Sequence, residues 1–281
     1  MHRGIKTQGP LIKSAITLCQ VPEAAAGPFV FRDPLPEAFA AAAAIGFDAV
    51  ELFLPGPYFV SVEQVESLSA IHGLAIAAVG TGGGMLRHGL SITDPSEEKR
   101  EEALHFVLSM IDFGAHFKAP AILGSMQGQR TGPDSIKHLT EGLHRCAKAA
   151  AAHGVPFIYE PLNRYETNFF NRLGDAARFL EESGLENVVL LADLFHMNIE
   201  ESDLAAAIRE AGRHIGHVHY ADSNRQAMGF GHTDPEQVIA ALRDISYSGY
   251  LSAEIFPLPD PETAARQTIS SIQSILGKQE I

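Results

Sequence analysis

Eight times along this chain a short apolar run of strand length gives way to a stretch of helical periodicity, and that alternation limits the fold more than any other feature. The strand-like runs are residues 14–18, 48–53, 74–79, 119–123, 157–159, 188–192, 214–219 and 249–253. Helical stretches follow at about 36–45, 62–72, from 96 onward, 133–153, 173–183, 202–211, 235–245 and 261–276. Runs such as residues 50–53 (VELF) and 188–192 are apolar nearly throughout, the pattern of strands covered on both faces in a parallel sheet. Eight such units predict an α/β chain closed as a (β/α)8 TIM barrel, the alternative being an open doubly wound sheet, which usually has fewer units.

A length of 281 residues with 46% hydrophobic content suits a single barrel domain spanning 1–281. Cys19 and Cys146 are too few for a disulfide scaffold and lack metal-binding spacing. No 18-residue apolar run is present, and the opening MHRGIKTQGPLIKSA is polar, without the hydrophobic core of a signal peptide. The expectation is a cytoplasmic protein with no membrane partner. A formal net charge of −13 argues against nucleic acid, whose phosphates demand a basic footprint.

The ends of the last four strands carry the chemistry. Strand five ends at Glu160, strand six at Asp193, strand seven at His219 and strand eight at Glu254. In a barrel these tips converge on one side of the C-terminal mouth. Any one of them alone reads more readily as structural: Asp193 as a helix cap, and His217 or His219, which share a strand face, as a hydrogen-bonded core histidine. Together, three carboxylates and one imidazole form a hard donor set suited to Mn2+ or Mg2+, with Co2+ or Zn2+ tolerated. Without a cation the three anionic groups would repel one another.

Polar companions lie close by in sequence: Glu166 six residues beyond Glu160, His196 three beyond Asp193, and Arg225 six beyond His219. Such groups can grip hydroxyl or carbonyl oxygens in a fixed orientation. The run Gly80-Thr81-Gly82-Gly83-Gly84 fits neither the Walker A nor the dinucleotide spacing and is expected to be mainly a flexible loop. Arg87 and His88 just beyond it are read as a surface pair, with phosphate contact the alternative. The long connection from Cys19 to Pro34 is expected to overhang a site or lie on the barrel mouth.

The segments EPLNRYETNFFN, ADLFHMNIEE, GHVHYADSNRQAMGFGHTDP and GYLSAEIFP, within strands five to eight, resemble those of ketose 3-epimerases of the D-tagatose/D-psicose group. That group belongs to the xylose-isomerase-like TIM-barrel superfamily of sugar phosphate isomerases and epimerases. The resemblance implies that Glu160, Asp193, His219 and Glu254 bind Mn2+ or a similar ion, and that Glu166, His196 and Arg225 contact the sugar. It also implies a homodimer or homotetramer acting on a small-molecule sugar, free or phosphorylated. The loops of the N-terminal half match more loosely, which leaves the sugar itself open.

The implied chemistry is epimerisation at C3 through a cis-enediolate. A metal holding the C2 and C3 oxygens would stabilise the charge left when the C3 proton departs. Glu160 and Glu254 would serve as the acid/base pair on opposite faces. Competing readings are a 1,2-aldose/ketose isomerase of hydroxypyruvate isomerase type and a sugar or inosose dehydratase. An endonuclease IV-like repair barrel would need more His ligands and a basic face, and a non-catalytic sugar sensor would lack an intact carboxylate pair.

Overall fold

A computed structural model of the protein describes residues 11–277. The first ten residues, most of the polar opening in which no signal peptide was read, lie outside them. Eight parallel strands pair in sequence order and close on themselves: β1 (Lys13–Cys19), β2 (Ala49–Phe53), β3 (Ala75–Gly80), β4 (Ala121–Leu123), β5 (Phe157–Tyr159), β6 (Val188–Asp193), β7 (Ile215–His219) and β8 (Tyr250–Ala253). The β1–β8 ladder, with Lys13 opposite Tyr250 and Ile16 opposite Ala253, completes the barrel. The expected TIM barrel is the fold.

Around it run α1 (Leu35–Ile45), α2 (Val62–His72), α3 (Gly83–His88), α4 (Glu97–Ala115), α5 (Ser135–Ala152), α6 (Leu173–Glu182), α7 (Leu194–Glu200), α8 (Leu204–Ala211), α9 (Pro235–Asp244) and α10 (Pro261–Gly277). Local chemistry sets several of their ends. Ser61 and Gln64 form a reciprocal capping box at the start of α2, and Asp203 and Asp234 cap α8 and α9. Ser96 does not cap α4 with its side chain; its own N–H donates instead to Asp94 Oδ1 at 2.8 Å. No helix among the described residues is long and apolar enough to cross a membrane.

Strand parity places the polar residues. Along β5, Phe157 and Tyr159 point outward into the large strand–helix core, while Ile158 points inward beside Ala78, Ile122 and Leu191. Glu160, one step further, therefore faces the barrel axis. The same count brings Asp193, His217, His219 and Glu254 inward, because Ala192, Val218 and Ala253 belong to the outer core. Fully burying a Leu, Ile or Phe contributes roughly 1.5–3 kcal/mol. The many such residues between strands and helices hold the fold and leave the mouth free for charge.

Two elements differ from the sequence reading. The Gly-rich run is not a loose loop: Gly80 ends β3, and Gly83 and Gly84 open α3, buried against neighbouring chain. A Cβ on Gly83 would collide with the carbonyl of Leu54, and one on Gly84 with Met126. Glycine is required there for close approach, not for mobility. Likewise the stretch after Asp193 is the short helix α7, too brief for its periodicity to show in the sequence.

The barrel wall is uneven. Strands β4 and β5 have three residues each, and only two positions pair across each of the β3–β4 and β4–β5 seams.

Candidate active site

His219 stands at the centre of the mouth. Its Nδ1 lies 3.3 Å from Asp193 Oδ2 and 3.8 Å from both Glu160 Oε1 and Glu254 Oε2. Three carboxylates from three strands thus surround one imidazole nitrogen, all largely shielded from solvent. Asp193 divides its work: Oδ1 accepts from the N–H groups of Phe195 and His196 and so caps α7, which leaves Oδ2 for the site. Glu160 is set by its backbone. Its N–H donates to the Leu123 carbonyl, and its carbonyl accepts from Gln127 Nε2 at 2.9 Å. Gln127 also donates to the Gly124 carbonyl and accepts from the Tyr159 hydroxyl, which ties the ends of β4 and β5 together.

The companions converge as well. His196, on the first turn of α7, places Nε2 3.6 Å from Asp193 and 3.8 Å from Glu160. Asn163 Nδ2 lies 2.7 Å from His196 Nδ1 and donates to Glu166 Oε1 at 3.0 Å, linking the two. Arg225 pairs with Glu254, lies 3.9 Å from Asp193 Oδ2 and 4.0 Å from Glu166 Oε1, and sits 4.9 Å from the centre of the Phe195 ring. The left-handed backbone of Arg225 (φ 60°) belongs to a loop folded around one carboxylate. Asp222 accepts from the N–H groups of Ser223, Gly229, Gly231 and Thr233, at 2.7–2.9 Å.

Electrostatics separates these groups. Burial raises the Glu160 carboxyl well above its usual range; the nearby His219 opposes this in part, and the charges of Asp193 and Glu254 add to it. Asp193 is equally buried, yet His196, its bond to His219 and the Arg225 charge outweigh burial and hold it low. Burial would lower His219, but Glu51 and Asp193 lift it well above the ordinary imidazole value.

The donor set fits a divalent ion. Asp193, His219 and Glu254 each present one ligand atom within 4.8 Å of the others, as do Glu160, Asp193 and His196. Glu160, His196, His219 and Glu254 line a cavity of about 310 Å³ whose wall also has an apolar part, formed by Ala24, Pro28, Phe29, Phe53, Leu86 and Leu162. Part of that wall comes from the connection after β1, which overhangs the mouth as its length suggested. A larger hollow of about 420 Å³ beside Tyr58, His88 and Phe106 holds no comparable cluster.

The profile of the xylose isomerase-like TIM barrel family matches residues 39–275. The chain belongs to that family. Within it, several ketose 3-epimerases are about 30% identical to the chain over most of its length. L-ribulose 3-epimerase of Mesorhizobium japonicum is 34% identical over 217 residues, 75% of this chain and 72% of that protein. 3-Dehydro-D-guloside 4-epimerase of Escherichia coli is 30% identical over 87% of this chain and 96% of its own. The crystal structure of D-allulose 3-epimerase from Methylomonas sp. in complex with D-allulose superposes with a TM-score of 0.78 at 22% identity, covering 94% of this chain and 97% of that one. The protein is an enzyme of the epimerase type.

All seven residues singled out in the sequence (Glu160, Glu166, Asp193, His196, His219, Arg225 and Glu254) line this xylose isomerase-like mouth or, for Asp193, bond directly to those that do. Arg87 does not join them: it pairs with Glu23 at 3.1 Å and, with His88, lines the hollow beside Tyr58 and Phe106. Sequence reasoning missed Glu51, Asn163, Gln127 and Asp222. Asn163 sits between Glu160 and Glu166 and could have been found there, but mid-strand Glu51 carried no local signal.

Proposed function

We propose that this chain is a metal-dependent epimerase that inverts C3 of an unphosphorylated ketose through a cis-enediolate. The observation that carries the reading is the approach of two carboxyl groups, Glu160 and Glu254, to one imidazole nitrogen from strands on either side of it. Glu160, Asp193, His219 and Glu254 would hold the ion, with Mn2+ first and Co2+, Mg2+ or Zn2+ as alternatives. A divalent ion bound there would supply Lewis-acid stabilisation of the charge that develops on the sugar oxygens.

The side chains do the rest. One of the two carboxylates takes the C3 proton, and the other returns a proton to the opposite face. Their surroundings differ, Glu160 being buried among acids and Glu254 paired with Arg225, as an acid/base pair requires. Glu166, His196 and Arg225 orient the sugar around C1–C3, and Asn163 keeps His196 and Glu166 in place. Apolar Pro28, Phe29, Phe53 and Leu162 would pack against the carbon skeleton of the sugar.

Charge supports an unphosphorylated substrate. Glu23, Glu51, Glu160, Glu166 and Glu254 line the cavity, and Arg225, the one Lys or Arg among the described residues that line it, pairs with Glu254. A phosphate dianion would meet these like charges and would compete with the sugar for the one guanidinium. Assignment to one cytoplasmic domain assembled as a homodimer or homotetramer rests on composition and the family resemblance, and nucleic acid is disfavoured by the net charge of −13.

The test is incubation with Mn2+ in D2O across free and phosphorylated ketoses, followed by NMR. Deuterium at C3 with appearance of the C3 epimer of a free ketose is the expected result. Label at C1 with formation of an aldose would replace the reading with a 1,2-isomerase, inversion at C4 of a keto-glycoside would place the chain with its Escherichia coli relative, and loss of water would make it a dehydratase. Arg225→Ala should raise KM by roughly 10- to 100-fold, the loss of one or two charge-assisted hydrogen bonds. Steady-state kinetics checks this, and a fall in kcat at unaltered KM would contradict the binding role.

A further inference from the structure

Behind His219, away from the three carboxylates, lies a second buried group that the proposed reaction does not use. Glu51 points inward from the middle of β2, where the pairing of β2 with β3 shifts register between Val50 and Glu51. Its Oε2 lies 2.7 Å from His217 Nε2, and its Oε1 lies 3.2 Å from His219 Nε2 and accepts from the Thr17 hydroxyl, also at 3.2 Å. All four residues are at most 2% exposed. Glu51, His217 and His219 also lie close enough together to ligate a metal. Both oxygens of Glu51 are already occupied by protein donors, however, which makes the cluster a clamp and not a second ion site.

We infer that Glu51, itself pinned by His217 and Thr17, is a positioning residue that holds the proton of His219 on Nε2 and so presents the Nδ1 lone pair to the ion. An ionised carboxylate only accepts hydrogen bonds, so each histidine nitrogen facing it must carry hydrogen. With Nε2 of His219 committed to donation, Nδ1 is the nitrogen left to bind metal, and it is the one that faces Asp193, Glu160 and Glu254. Orientation of a metal-bound imidazole by a carboxylate on its other nitrogen is a general device, and its loss typically costs 10- to 100-fold in metal affinity. The inference rests on the proposed role of His219 as a ligand.

The experiment is calorimetric titration of the wild type and Glu51→Gln with Mn2+ in the absence of sugar, together with NMR of 15N-histidine-labelled protein, metal-free and loaded with diamagnetic Zn2+. A glutamine offers one acceptor and one NH2 donor where two histidines both donate, so one ring must change its protonation. Glu51→Gln should bind Mn2+ 10- to 100-fold more weakly and lose the Nε2 proton from His217 or His219, and Glu51→Asp should recover part of the affinity. A purely structural role would lower the melting temperature while leaving affinity and proton positions in the folded protein unchanged, and that result overturns the inference. Should Glu51→Gln fail to fold, the wild-type spectrum decides: a His219 proton on Nδ1 and not on Nε2 overturns it, and one on Nε2 sustains it. A wild type that binds no metal would defeat the proposed function, whereas a wild type that binds and a Glu51→Gln that binds equally well would defeat the clamp.

Discussion

Glu160→Gln and Glu254→Gln should each lower epimerisation by roughly 10²- to 10⁴-fold, the usual contribution of a positioned acid or base, in a barrel that remains folded. Glutamine keeps the shape and an oxygen able to ligate, but it can neither take nor deliver a proton. The two variants should also differ in a way that tests the geometry. If the carboxylates serve opposite faces, each variant retains one working base. It should then exchange the C3 hydrogen of one epimer with D2O, without converting that epimer to the other. The epimer that exchanges should switch between the variants. Rates equal to wild type with metal bound, or exchange of the same epimer by both, would end the two-carboxylate scheme.

Asp222→Asn should destabilise the protein by about 2–3 kcal/mol and raise KM, although Asp222 is placed in no direct contact with the sugar. Its carboxylate accepts four backbone N–H groups of the loop that carries Arg225. An amide turns one acceptor into a donor facing donors, and each hydrogen bond to the lost charge contributes about 1.5–3 kcal/mol before water repairs some of the loss. Burial opposes ionisation of Asp222, but the bonds from Thr233, Gly231, Ser223 and Gly229 prevail and hold its carboxyl below the ordinary value. The sign follows. A carboxyl whose folded value is depressed binds its proton more readily in the unfolded chain. Its stabilisation is complete above the unfolded value, about 3.9, and is lost as pH falls through the folded one. The gap between wild type and Asp222→Asn in urea unfolding should therefore be full at neutral pH and shrink below about pH 4. A gap independent of pH would show that the charge of Asp222 is not what holds the loop.

The barrel and the core of its site were legible because both are written locally. A strand of alternating parity that ends on Glu160, or on Asp193, declares which way that residue faces, and the order of the strands places their tips side by side. Glu51 was not legible for the opposite reason. Nothing near it in AVELF marks it, and its partners His217 and His219 lie 166 and 168 residues away. Asp222 was hidden by the nature of its contacts, since backbone N–H groups are the same in every residue but proline. The Gly-rich run misled because glycine serves both freedom and close packing, and only the neighbouring Leu54 and Met126 show which applies.

The short strands β4 and β5 have a consequence for how the barrel breathes. Local opening begins where the fewest backbone bonds must break, and the seams flanking β4, like that between β7 and β8, have two paired positions each, against five for β1 with β2. Glu160 extends from one of these thinly paired seams, and Glu254 from another. Gln127, bridging the ends of β4 and β5, acts as a rivet across the first. The two carboxylates proposed to exchange the proton thus both leave the wall beside its thinnest seams, and on the Glu160 side an amide side chain spans the gap.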